Sequence, residues 1–157
     1  MRTLLVLSVV CLGAAALSAS EGPNIDIGTQ AKGAKKVVLA TVVDVQSTFD
    51  VNDFGDRLIM SHVLLQTEET MKGPHEPSVT MTLEGGTVGD LTLSVSDMPK
   101  MARGERAVLF LDDSNRGGQI PHGRGAGVLK LDATGHVAGT TITVDEIRNV
   151  VKAAQGR

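Results

Sequence analysis

Residues 78–95, SVTMTLEGGTVGDLTLSV, constrain the fold more than any other stretch of the chain. Val79, Met81 and Leu83 alternate with Thr80, Thr82 and Glu84, and Leu91, Leu93 and Val95 alternate with Thr92 and Ser94. Period two is the pattern of strands with one face on a core and one face in water. Between the two runs, Gly85, Gly86 and Gly89 supply backbone freedom that a Cβ denies. The stretch reads as a hairpin, two strands joined by a glycine loop. Other β segments must then supply the layer that buries its apolar face.

The remaining segments fit that demand. Residues 37–49 read as a strand whose first half is apolar on both parities, Val37 and Leu39 on one and Val38, Ala40 and Val42 on the other. Such a strand is covered on both faces. A turn cluster follows, DVNDFGD, in which Asn52, Asp53 and Gly55 are turn formers. Residues 57–72 form a long strand with apolar residues on both parities, which predicts a bulge near Ser61 and His62. Lys72, Gly73 and Pro74 stop it. Residues 107–111, AVLFL, are a continuous apolar run and read as a fully buried strand. Residues 112–118 are a hairpin loop, and residues 128–132 a further short strand. Thr143 with Glu146 three residues on is a capping box opening a helix over 144–154, with Val144, Ile147, Val150 and Val151 on its apolar side. Arg148 and Lys152 fall toward its C-terminal end, where the helix dipole favours cations. The expected class is all-β: a small, OB-like antiparallel barrel of five to seven strands with a C-terminal helix.

The first twenty residues stand apart from this pattern. Arg2 gives a positive start, residues 4–17 are apolar apart from Ser8 and Gly13, and small residues follow through Ser20. That is the layout of a secretory signal peptide, and the apolar run is short for a membrane span, which takes about 20 residues. Residues 1–20 are therefore expected to be signal, residues 21–36 a flexible polar segment with one helical turn near Ile27 to Ala31, and residues 37–157 a single domain. The expected location is secreted or periplasmic, with no membrane attachment after cleavage. Cys11, the sole cysteine, lies in the signal, so disulfides, thiolate metal sites and cysteine nucleophiles are not expected in the mature chain.

Composition narrows the ligand classes. Without Arg2, 14 basic residues face 18 acidic ones, and no polybasic stripe exists to neutralise phosphates. Trp and Tyr are absent, and the only rings on hydrophobic side chains are Phe49, Phe54 and Phe110. Base-stacking platforms and sugar-stacking surfaces need more aromatic surface than that. A nucleic-acid partner is not expected.

The order of marks, with Lys72-Gly73, Gly85-Gly86 and Gly104-Glu105 punctuating the strands, resembles a broad group of largely uncharacterised secreted bacterial proteins. It is also similar to the OB-like barrel of netrin-type modules and tissue inhibitors of metalloproteinases, over roughly residues 34–153. The resemblance implies a fold, since turn residues carry it. Those inhibitors chelate zinc through an N-terminal cysteine, which this chain lacks in its mature part, so that mechanism does not transfer. A scaffold whose loops bind a partner is what the resemblance leaves.

Candidate chemistry is sparse. His62, His75, His122 and His136 show no close metal-ligand spacing. Glu68-Glu69 and Asp112-Asp113 are adjacent, so on a strand they face opposite ways. Gly85-Gly86-Thr87-Val88-Gly89 opens no helix and has no following Lys-Ser/Thr, so it is no phosphate cradle. The richest surface is residues 112–127. The expected function is non-enzymatic binding of an extracytoplasmic protein partner by a monomer, through Asp113, Arg116, His122 and Arg124, with no metal or cofactor. The alternative is a hydrolytic or metal-dependent enzyme using His122, His136 and Asp112 or Asp113.

Overall fold

A computed structural model describes residues 26–156. The residues read as signal, together with residues 21–25 and Arg157, lie outside the described residues. The elements run α1 (Ile27–Gly33), β1 (Lys36–Val51), β2 (Arg57–Lys72), β3 (Ser78–Glu84), β4 (Gly86–Val88), β5 (Leu91–Leu93), β6 (Arg106–Asp113), β7 (Gln119–Pro121), a 3₁₀ turn (Arg124–Gly127), β8 (Val128–Lys130) and α2 (Val144–Gln155).

The strands pair in the order β1-β2-β3-β7-β6, and β6 returns to pair with β1. β8 lies against the N-terminal half of β6. All ladders are antiparallel except β3 with β7, which meet in parallel through one residue pair, Met81 with Gln119. The chain is therefore mainly β and barrel-like, incompletely closed at that seam, with a C-terminal helix. This is the expected OB-like class.

Two apolar cores explain the strand sequences. The barrel interior holds Val38, Ala40 and Val42 of β1, Val63 and Leu65 of β2, Val79, Met81 and Leu83 of β3, and Ala107, Leu109 and Leu111 of β6. The opposite faces of β1 and β6 present Val37, Leu39, Val108 and Phe110 to a second core, closed by Ile27 and Ala31 of α1 and Ile147 and Val151 of α2. The run AVLFL thus splits by parity between two cores, which is why it has no polar position.

Four details differ from the sequence reading. The stretch 78–95 is not one hairpin. β3 pairs with β2, while β4 and β5 form their own small hairpin, and Leu91 is 61% exposed. Gly85 and Gly86 are a kink rather than a hairpin loop. A Cβ on Gly86 would lie 2.3 Å from Ser47 Oγ and 2.5 Å from Ser61 Oγ, and its φ is +138°. Only glycine fits that approach. Second, the bulges are elsewhere. The β1–β2 register shifts between Val42 and Asp44, leaving Val43 extra, and twice near the end of β2, at Glu68 and Met71. Ser61 and His62 sit in regular pairing.

Third, the helical turn expected near Ile27 to Ala31 is present as α1, but residues 27–36 are packed into the fold rather than flexible. Asp26 caps α1 by accepting from Thr29 N at 2.9 Å. Lys72 Nζ donates to the carbonyls of Ala31, Lys32 and Ala34, satisfying the C-terminal end of α1. Lys72-Gly73 is thus an anchor for α1 as well as a strand stop, with Gly73 in the left-handed region at φ +86°. Fourth, the capping box of α2 forms as expected, but Arg148 does not serve the helix end. It makes a bidentate pair with Glu69 of β2, at 2.7 and 2.8 Å. Val150 lies at the margin of the apolar stripe, and Ala154 packs there in its place.

Candidate functional site

The outer face of β3 and of the N-terminal half of β2 is not covered by a helix; α2 meets the other end of β2, at Glu69 and Met71. His62 and Leu64 of β2 and Thr80, Thr82 and Glu84 of β3 share the parity that points away from the barrel interior. Met60 shares it too, yet is only 4% exposed and belongs to neither core. Two loops cover it, and between them and the strands lies a cleft of about 480 Å³. Ligand sites commonly run from roughly 300 to 1,000 Å³.

Each loop is built by turn chemistry. In the β1–β2 loop, Asn52 is 6% exposed. Its Oδ1 accepts from Phe54 N at 3.0 Å and Asp56 N at 2.9 Å, and its Nδ2 donates to Glu84 Oε1 at 2.9 Å. An Asn side chain that mimics backbone in this way holds a tight turn. In the β6–β7 loop, Gly117 and Gly118 take φ of +94° and +72°. The two loops are tied together. Ser114 Oγ donates to Asp53 Oδ1 at 2.7 Å, Asn115 N to Asp53 Oδ2 at 3.1 Å, and Arg116 Nε to the Asn52 carbonyl at 2.9 Å. The roof of the cleft is therefore cross-linked rather than free.

Arg124 forms the end wall. Its Nη2 donates to Glu84 Oε2 at 2.9 Å, and its Nε and Nη2 engage Asp97. Hydrogen bonds from Arg124 hold the Asp97 carboxyl below the usual carboxylate range, and those same carboxylates raise the Arg124 guanidinium. Arg124 has φ 61°, and among the described residues no other non-glycine has a positive φ. That conformation costs about 1–3 kcal/mol and persists only where neighbours over-determine it. Here the two carboxylates do so.

The expected site residues divide. Arg116 and Arg124 both line the cleft. Asp113 does not; it pairs with Lys35 at 2.9 Å. His122 Nδ1 meets Asp112 Oδ2 at 2.7 Å, and Asp112 Oδ1 accepts from Lys35 N at 3.2 Å. A Cβ on Gly33 would lie 2.2 Å from His122 Nε2, so this imidazole is packed against the end of α1. His136 bonds elsewhere, to Thr134 Oγ1 at 2.7 Å. Among the described residues no three His, Cys, Asp or Glu side chains gather as a metal site would require.

The sequence reading missed Asn52, Asp53, Phe54, His62 and the Thr80–Thr82 face. Two signals were present. Thr80 and Thr82 marked a strand face with no apolar cover, and Phe54 was a lone aromatic inside a polar turn cluster. No protein-family model matches the chain, and no curated protein matches it.

Proposed function

We propose that this chain is an exported, non-enzymatic OB-like domain that holds an extracytoplasmic protein partner in the cleft on the outer face of β2 and β3. The observation that carries the reading is Phe54. In a chain with three phenylalanines, Phe110 is fully buried, yet Phe54 stands 79% exposed on the cross-linked roof of the cleft. Exposure of a large ring is unfavourable by burial energetics, and aromatic anchors are what protein interfaces bury. Met98, Ile120 and Pro121 continue the apolar lining beside it. The signal-like residues 1–20 support export, and the barrel-like fold supplies a rigid scaffold for partner-binding loops.

The His122–Asp112 pair favours a packing role, because its free imidazole nitrogen abuts Gly33. The test is affinity capture from the protein's own secreted fraction, with wild-type and Phe54→Ser baits side by side. A protein retained by the wild type and lost with the variant is the expected result. Equal recovery with both baits would remove the cleft from the function.

A further inference from the structure

The donors and acceptors lining the cleft are unequally engaged. Both oxygens of Asp53 accept from the β6–β7 loop. Glu84 accepts from Asn52 and Arg124. Asp50 accepts from Val51 N at 2.8 Å and faces His62 Nε2 at 3.3 Å. Asp53 and Glu84 are thus fully engaged, and one Asp50 oxygen is taken by the backbone while the other faces an imidazole. Arg124 is neutralised by two carboxylates. Arg116 differs: its Nε donates to a neutral carbonyl, and among the described residues its terminal nitrogens meet no carboxylate. The tether fixes the plane of the guanidinium and leaves its end open, the geometry for a bidentate carboxylate.

We propose that the partner segment, on the reading above, carries one acidic side chain next to an apolar one. The carboxylate pairs end-on with the Arg116 terminal nitrogens, and the apolar side chain packs against Phe54 and Ile120. A single carboxylate fits, and a run of negative charge does not. Asp50, Asp53 and Glu84 line the same cleft, and a polyanion would meet all three while only one cation is uncompensated. That asymmetry favours a protein segment over a nucleic acid.

The probes are acetyl-Leu-Phe-Glu-amide and its glutamine counterpart, titrated into the purified protein while backbone amide signals are followed by NMR. The expected result is movement of the amides of residues 52–54 and 114–118, with the glutamate peptide binding about tenfold more tightly. Arg116→Gln, which also removes one of the three bonds between the loops, should bind the glutamate and glutamine peptides with equal affinity. Amide signals outside the cleft that keep their wild-type positions show that the variant is folded. Equal affinity of both peptides for the wild type would overturn the acidic inference and leave the cleft reading standing. No movement of cleft amides at millimolar peptide would overturn both. Movement of the same amides by a short oligothymidylate, without any by the peptides, would replace the protein partner with a nucleic acid.

Discussion

The barrel has two outer faces with opposite fates. On β1 and β6, Val37, Leu39, Val108 and Phe110 point outward and are sealed under α1 and α2. On β2 and β3, His62, Leu64, Thr80 and Thr82 point outward; the two cross-linked loops arch over His62, Thr80 and Thr82, and Leu64 stays exposed. Both faces are pleated sheet, so the backbone does not set the difference. The side chains do: an apolar outer parity recruits helices, and a Thr and His parity leaves a wet surface that loops can turn into a cleft. Stability is concentrated on the first face, and the proposed recognition falls on the second.

Substitutions on the two faces should therefore separate cleanly. The largest effect is expected from Phe110→Ala, which empties a fully buried ring site beneath the helices. Such truncations cost about 3–5 kcal/mol, and urea unfolding would measure it. A cost near that of a surface change would mean that the second core is not a true core.

Next comes Lys72→Met. It keeps the apolar stem and removes the ammonium that serves two α1 carbonyls and that of the C-cap Ala34. A loss of about 2 kcal/mol is expected, with faster hydrogen exchange confined to residues 27–33. Uniform exchange across the whole chain would instead mean that α1 does not open separately.

Acid should act on the helix-clad side as well. The Arg148 guanidinium, by hydrogen bonding, holds the Glu69 carboxyl below its ordinary 4.5, and Arg106 does the same to Glu68. The ionised forms are favoured in the fold. Their stabilisation is complete above the unfolded value and is lost as the pH falls through the lower folded value. Melting temperature should accordingly drop on acidification below about pH 4.5, and Glu69→Gln should weaken that dependence. An unchanged dependence in Glu69→Gln would place the acid sensitivity elsewhere.

The smallest effect on stability is expected from Phe54→Ala on the other face. A ring already in water should change unfolding by no more than about 0.5 kcal/mol. Partner binding should fall far more than that. Were unfolding to shift by several times as much, Phe54 would be part of the packing and the contrast between the faces would weaken.

Much of the fold was legible in the sequence. The AVLFL run, the two-sided start of β1, the alternation of β3 and the Thr143–Glu146 capping box each carry local information about periodicity or hydrogen bonding. The misreadings share one cause. Leu91 to Val95 alternate as a core strand would, yet pair only in the short β4–β5 hairpin, because β3 has β2 on one side and its single contact with β7 on the other. The bulges at Val43, Glu68 and Met71 depend on how two long strands curl past each other, which neither strand encodes alone. The site was half legible. Arg116 and Arg124 drew notice as charges in a glycine-rich loop. The Asn52–Asp53–Phe54 turn, 61 residues away from the Ser114 it bonds, did not.

Local composition thus settled which residues prefer strand, turn or helix, and which strand faces avoid water, since those preferences act over a few neighbouring residues. It also fixed the Thr80 and Thr82 face as unfit for a core. Only the tertiary structure decided what that face became. Closing the ring through β7 brought two distant loops together, and three hydrogen bonds between them made a cleft. Those bonds depend on separations that loop closure, not local propensity, selects.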